Sequence, residues 1–132
     1  MNKKAVLEWL ISHFEPFVVH GRLISELVKL VSGTGYEKRF FGMLVGRLKF
    51  LDSMGILAVE HKEFEPICEN LYSMHLTGTG FNIRILYSFF QDYTPVLLLA
   101  FFERAGKSTT DYTSHIEPAM NRFKELEEVY ND

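Results

Sequence analysis

One cysteine, Cys68, stands among 132 residues, so the chain cannot close an internal disulfide or offer a cysteine pair to a metal. That scarcity fits a reducing compartment, and the cytoplasm is the expected location. No apolar run approaches the roughly 20 residues of a membrane-spanning helix. The opening MNKKAVLEWLISHFEP meets Glu8 and His13 too early for a signal-peptide core, so neither a targeting segment nor membrane contact is expected. Neither sign of charge dominates: 14 Lys and Arg face 17 Asp and Glu, a formal net charge of -3. A surface that is basic all over is excluded, and any nucleic-acid contact must use a local patch. The histidines at 13, 20, 61, 75 and 115 form no HExxH motif or close pair, which speaks against a metal site. The GTG triplets at 33–35 and 78–80 lack a phosphate-loop lysine or a dinucleotide fingerprint and read as turns. Cys68 with a distant histidine is a weak thiol-enzyme signal, and a buried or inert cysteine is the simpler reading.

What the chain has is core material. Hydrophobic residues make up 47% of it, and phenylalanine alone contributes 12 residues. The length suits one domain, 1–132, without repeats or low-complexity tracts. Residues 4–14 are ambiguous: Val6, Leu10 and Phe14 form a helical stripe, while the Trp9-Leu10-Ile11 cluster would suit a buried strand. Leu23, Leu27, Leu30 and Val31 share one helical face, with Gly33 as a stop. Phe40, Leu44, Leu48 and Leu51 repeat that spacing in a longer helix ended by Gly55. The other face of this helix holds Lys38, Arg39, Arg47 and Lys49, which suits either a solvated surface or a polyanion contact.

After Gly55 the period changes from helical to alternating. ENLYSMHLTG, FNIRILYSFF and PVLLLAFFER read as three strands joined by short turns, most simply an antiparallel meander. TSHIEPAMNRFKELEEVY then reads as a helix. Thr113 or Ser114 is its expected N-cap and Glu117 its capping-box partner, with Pro118 confined to the first turn. Ile116, Met120, Phe123 and Val129 form its apolar stripe. The order of elements predicts an α+β fold.

Alternation puts Arg84 on the opposite strand face from Ile83, Ile85 and Tyr87, so that face must stay at least partly wet. Arg104 and Lys107 end the next strand, and a suitable register would gather three cations into an anion site. The alternative is surface charge on strand ends, with Glu103 in an exposed ion pair. Tyr112 and His115 flank the final helix N-terminus, where free backbone N–H groups could meet a phosphate; capping and packing are the simpler job for each.

The run LYSMHLTGTGFNIRILYSFFQDYTPVLLLAFFERAGKSTTDYTSHIEPAMNRFKEL resembles the core of the RelE/HigB superfamily of type II toxins, in particular its phage-derived branch. NLYSMH stands where that family has an LYELR strand, NIRILYSF where it has YRILY, and LLLAFFERAGKST where it has LLHGFxKKxxKTP. HIEPAMNRFKE resembles its EIExAxxRxxE helix, and LKFLDSMG its LxxLxxxG helix end. The likeness covers roughly residues 36–128, and residues 1–35 weakly.

This resemblance implies a RelE-like fold: N-terminal helices on a small antiparallel sheet, with a three-strand meander, a possible N-terminal strand and a C-terminal helix. It implies an mRNA endoribonuclease, often ribosome-associated, that needs no metal or other cofactor. Its 2′-hydroxyl attack would leave a cyclic phosphate and a free 5′-hydroxyl. The implied partners are mRNA, the ribosome and a cognate antitoxin with a helix-turn-helix, operator DNA being reached only through that antitoxin. Position by position, Arg84 matches the arginine of YRILY and would bind the scissile phosphate. Arg104 and Lys107 match lysines that hold phosphate or donate a proton, and His75 replaces the ELR arginine. Arg47, Lys49, Tyr112 and His115 are the candidate RNA contacts. Glu103, Ser73 and Thr109 or Thr110 depart from the pattern, which keeps open a second reading: a non-catalytic interaction module on the same scaffold.

Overall fold

The computed structural model describes residues 1–104 and 110–131. Lys107 and Thr109 lie outside them. The described residues form an α+β fold, with four α-helices and one mixed five-stranded sheet. Helix α1 (Lys3–Phe14) settles the ambiguity of residues 4–14 in favour of the stripe, because Val6, Leu10 and Phe14 are its buried residues. The N-terminal strand comes later and is minimal: β1 (Val18–Val19) pairs in parallel with Val96 and Leu97. Helices α2 (Gly21–Val31) and α3 (Glu37–Met54) follow, then a 3₁₀ turn, Gly55–Glu60. Strands β2 (Phe64–Cys68), β3 (Leu71–Gly78), β4 (Phe81–Phe89) and β5 (Pro95–Phe102) precede α4 (Thr113–Tyr130).

The sheet order is β1-β5-β4-β3-β2, with β2 through β5 antiparallel. Strand β2 has no clear alternating signal because Pro66 interrupts it. Proline is tolerated there because β2 is an edge strand with only one ladder. At the tip of the β3–β4 hairpin, Gly80 adopts φ +89°, and a Cβ on Gly78 would lie 2.5 Å from the Phe81 ring. Both positions need glycine, one for its left-handed backbone and one for space.

Helices α1, α2 and α3 cover one face of the sheet, where Met74, Leu76, Ile83, Ile85, Tyr87, Leu97 and Ala100 are buried with Leu27, Phe40 and Leu44. Helix α4 covers part of the other, against Leu71, Leu86, Leu98 and Leu99. A bulge in β5 makes this second cluster possible: Leu86 pairs with Leu99 and Tyr87 with Leu97, leaving Leu98 as the extra residue. Past the bulge the phase is shifted, so Phe101 joins the α4 face opposite Arg84.

Strand β1 is too short to cover the outer edge of β5, and two side chains close that edge instead. Arg122 of α4 donates from Nη1 to the Leu98 carbonyl at 2.9 Å, while Glu26 of α2 accepts from the Ala100 N–H at 3.1 Å. The two also grip each other through bonds of 2.8 and 2.7 Å, the two-pronged geometry that suits guanidinium and carboxylate. Two backbone groups of an otherwise open edge are thereby satisfied.

Helix α4 begins differently from the sequence expectation. Tyr112 is its N-cap and makes no side-chain cap bond; Asp111 accepts from the Thr113 N–H at 3.0 Å instead. Pro118 therefore sits beyond the first turn, where its lack of an N–H removes the bond to the Ser114 carbonyl. Val129, expected in the apolar stripe, is 74% exposed; Ala119, Arg122 and Phe123 are the buried residues.

Candidate functional site

Alternation and register fix where the polar residues of the α4 face meet. Glu65 of β2 pairs with Ser73 of β3, and His75 of β3 pairs with Arg84 of β4. Directly opposite residues share a face, so these four side chains rise together at one end of the sheet. Tyr112 closes over them from the start of α4. Its phenol oxygen lies 2.5 Å from Glu65 Oε1, 2.8 Å from Ser73 Oγ and 3.4 Å from His75 Nε2. His75 Nε2 is 2.7 Å from the same Glu65 oxygen. One phenol proton cannot serve two acceptors. The network closes if Tyr112 donates to Glu65, Ser73 donates to Tyr112, and the His75 Nε2–H donates to Glu65.

Burial, and next the nearby charge of Arg84, lower the His75 pKa from its ordinary value, with the Glu65 hydrogen bond opposing them. His75 is thus the neutral imidazole at neutral pH, not the imidazolium required for a cationic phosphate contact. Burial foremost, and the Glu65 bond second, push the Tyr112 hydroxyl up to about 12, so it stays a donor. Glu65 is the most open member, with its side chain 40% exposed. A carboxylate that is held by two donors and still reachable from solvent is equipped to accept a proton from an incoming hydroxyl.

Arg84 is buried and braced from below. Its Nη1 donates to Thr77 Oγ1 at 3.2 Å and to Asn82 Oδ1, while its Nε has no acceptor among the described residues. The cation therefore sits beside the His75–Glu65–Tyr112 network in a fixed pose.

The other predicted residues are distributed differently. Arg104 is exposed and lies three positions past Phe101, the partner of Arg84, or about 10 Å along a strand at ~3.3 Å per residue. The register does not place it beside Arg84. Glu103, whose N–H donates to the Asn82 carbonyl at 2.7 Å, is in none of the ion pairs among the described residues. Its charge instead acts on His115, whose pKa burial lowers and Glu103 chiefly opposes. His115 stacks on Phe101 at 3.7 Å, and Phe101 also meets Tyr112 edge-on, so both α4 residues flank the site. Arg47 reaches β3 from α3: its Nε donates to the His75 carbonyl at 2.9 Å, and its Nη2 lies 3.4 Å from Glu63. It braces the strand that carries His75. Lys49 lines a separate hollow with His13, Phe17 and Asp52, away from the network. Cys68 is exposed, contrary to the buried reading.

Glu65 and Ser73 complete a network that sequence reasoning missed. Ser73 was visible only as a departure from the LYELR pattern, and Glu65 lies in the strand that Pro66 concealed. Among the described residues, no group of three or more His, Cys, Asp or Glu side chains is placed to hold a metal ion. No described helix is long and apolar enough to cross a membrane. No family model, curated protein or solved structure matches the chain.

Proposed function

We propose that the protein is a RelE-like toxin that cleaves mRNA by transesterification and is held inactive by a cognate antitoxin. The observation that carries this reading is the convergence of Glu65, Ser73, His75 and Tyr112 beside Arg84 at one sheet end. An antiparallel run from β3 to β5 followed by α4 supports the RelE-like layout, which the sequence resemblance first suggested.

In this mechanism Glu65 takes the 2′-hydroxyl proton, with His75 and Tyr112 holding its other oxygen. The 2′-oxygen forms a bond to phosphorus as the bond from phosphorus to the 5′-oxygen breaks. Arg84 stabilises the charge that develops on the phosphorane, a task suited to a fixed guanidinium. The leaving 5′-oxygen collects a proton from Lys107 or water, and His115 on Phe101 offers an aromatic surface for a neighbouring base. The ribosome supplies the mRNA, and the antitoxin carries any contact with operator DNA.

Induced expression in a bacterial host, with cleavage sites mapped on translated mRNA, tests the proposal. Wild-type protein should arrest growth and cut, whereas Arg84→Ala and Glu65→Gln should lose at least ~100-fold in cleavage while remaining folded. Folded wild-type protein that neither arrests growth nor cuts mRNA would remove the enzyme reading and leave a non-catalytic interaction module.

A further inference from the structure

Away from the polar network, an open cleft of about 590 Å³ runs between α3 and the tip of the β3–β4 hairpin. Lys38, Arg39, Arg47, Gly42, Gly46 and Thr79 lie along it. Three features point to an occupant. The first is charge: Lys38 and Arg39 are exposed and in none of the ion pairs among the described residues, while Arg47 has only Glu63 opposite it.

The second is a free strand edge. The His75 N–H donates to the Glu63 carbonyl and its own carbonyl accepts from Arg47, so the backbone of His75 points away from β4. Antiparallel ladders alternate, so two residues on, the N–H and carbonyl of Thr77 point to that same side. Strand β2 pairs no further than Met74, and Thr77 is exposed. Among the described residues, no strand lies beside this backbone donor and acceptor.

The third is the floor. Gly42 and Gly46 lie on the exposed face of α3, where a Cβ would meet nothing within 4 Å. Nothing among the described residues requires glycine there, although glycine weakens a helix interior. Their absent side chains let another backbone come close.

We propose that this cleft binds an extended, acidic peptide segment of a partner protein, which adds a short strand at Thr77 and sets its carboxylates on Lys38 and Arg39. From Lys38 to Arg47 the helix advances about 13 Å at ~1.5 Å per residue, the length of about four strand residues. An RNA backbone would satisfy the cations, but its phosphates and 2′-hydroxyls do not present a donor and an acceptor at the spacing of a single strand residue. A peptide supplies both groups, which is what adding a strand requires.

The test uses the full chain and fluorescence polarisation with a labelled peptide alternating glutamate and valine. Two controls accompany it: the same peptide with its backbone nitrogens methylated, and a uridine-rich RNA of equal length. The unmethylated peptide should bind, and methylation should weaken it by about tenfold or more. Lys38→Glu with Arg39→Glu should do the same. Gly46→Leu should also abolish binding while raising the thermal midpoint, so loss of fold is not an escape. Equal binding of the methylated peptide, tighter binding of the RNA, or full binding by Gly46→Leu would each overturn the proposal. Since mRNA cleavage is read separately, failure here leaves the nuclease reading standing, and failure there leaves this one.

Discussion

The two faces of the sheet are built from alternate residues of the same strands, yet they have become different kinds of surface. On one, three helices seal Met74, Leu76, Ile83, Ile85 and Tyr87 into a continuous apolar core. On the other, a single helix covers only the half around Leu71, Leu86, Leu98 and Leu99, and the remaining half carries Ser73, His75 and Arg84 under the first turn of α4. One helix cannot shield both halves, so the second half is where polar groups can be held in fixed geometry and still be reached. The larger apolar cluster lies on the first face and the candidate chemistry on the second.

The comparison breaks most visibly where the apolar face is cut. Ile85 is fully buried there, so Ile85→Ala should cost about 2–5 kcal/mol in urea unfolding, with no change in the titration of His75. A cost below ~1 kcal/mol would show that this face does not dominate stability.

Arg122→Ala tests the seam joining the two layers. It leaves Glu26 and the Leu98 carbonyl without their partner, and since Glu26 is partly exposed the expected loss is about 2–3 kcal/mol. Hydrogen exchange at Ala100 should accelerate in this variant.

Removing a single hydroxyl should have opposite signs on the two faces. Tyr87 on the sealed face has a buried hydroxyl without a partner among the described residues, so Tyr87→Phe should be neutral or stabilising by up to ~1 kcal/mol. Tyr112→Phe breaks the bonds to Glu65 and Ser73 and should cost about 1–2 kcal/mol. Thermal denaturation of the two variants side by side decides it.

The smallest effect is electrostatic. Because the His75 pKa is lowered in the folded protein, the unfolded chain binds more protons as pH falls below about 6.5. The contribution of His75 to stability is therefore fully present above that pH and is lost as pH falls through the folded pKa. An NMR titration should place the His75 midpoint below the ordinary histidine value, and Arg84→Met should move it upward, since the Arg84 charge is one of its causes. A midpoint unmoved by that substitution would separate the two residues.

Much of this contrast was legible in advance. The alternation in LYSMHL and FNIRILYSFF assigned Tyr72, Met74 and Leu76 to one face and Ser73, His75 and Arg84 to the other. Periodicity also located the 23–31 and 36–54 helices, because their apolar stripes face a core. It failed for β2, where Pro66 and flanking glutamates hide an edge strand, and it could not reveal the β5 bulge, since VLLLA is apolar in either phase. The N-terminus of α4 was misplaced because Thr113, Ser114 and Glu117 offered a local cap, whereas the bonds of Tyr112 to β2 and β3 set where the helix meets the sheet.

The sequence by itself determined the α+β class, the sides on which strand residues lie and the isolation of Arg84 from its apolar neighbours, because these depend on periods of two and 3.6 residues that are local. Only the tertiary structure decided that Glu65 and Tyr112, 47 positions apart, share one hydrogen bond, and that Arg104 lies beyond the reach assigned to it. Those outcomes depend on strand register and on a single inserted residue in β5, which are settled by how whole faces pack and leave no periodic trace in the chain.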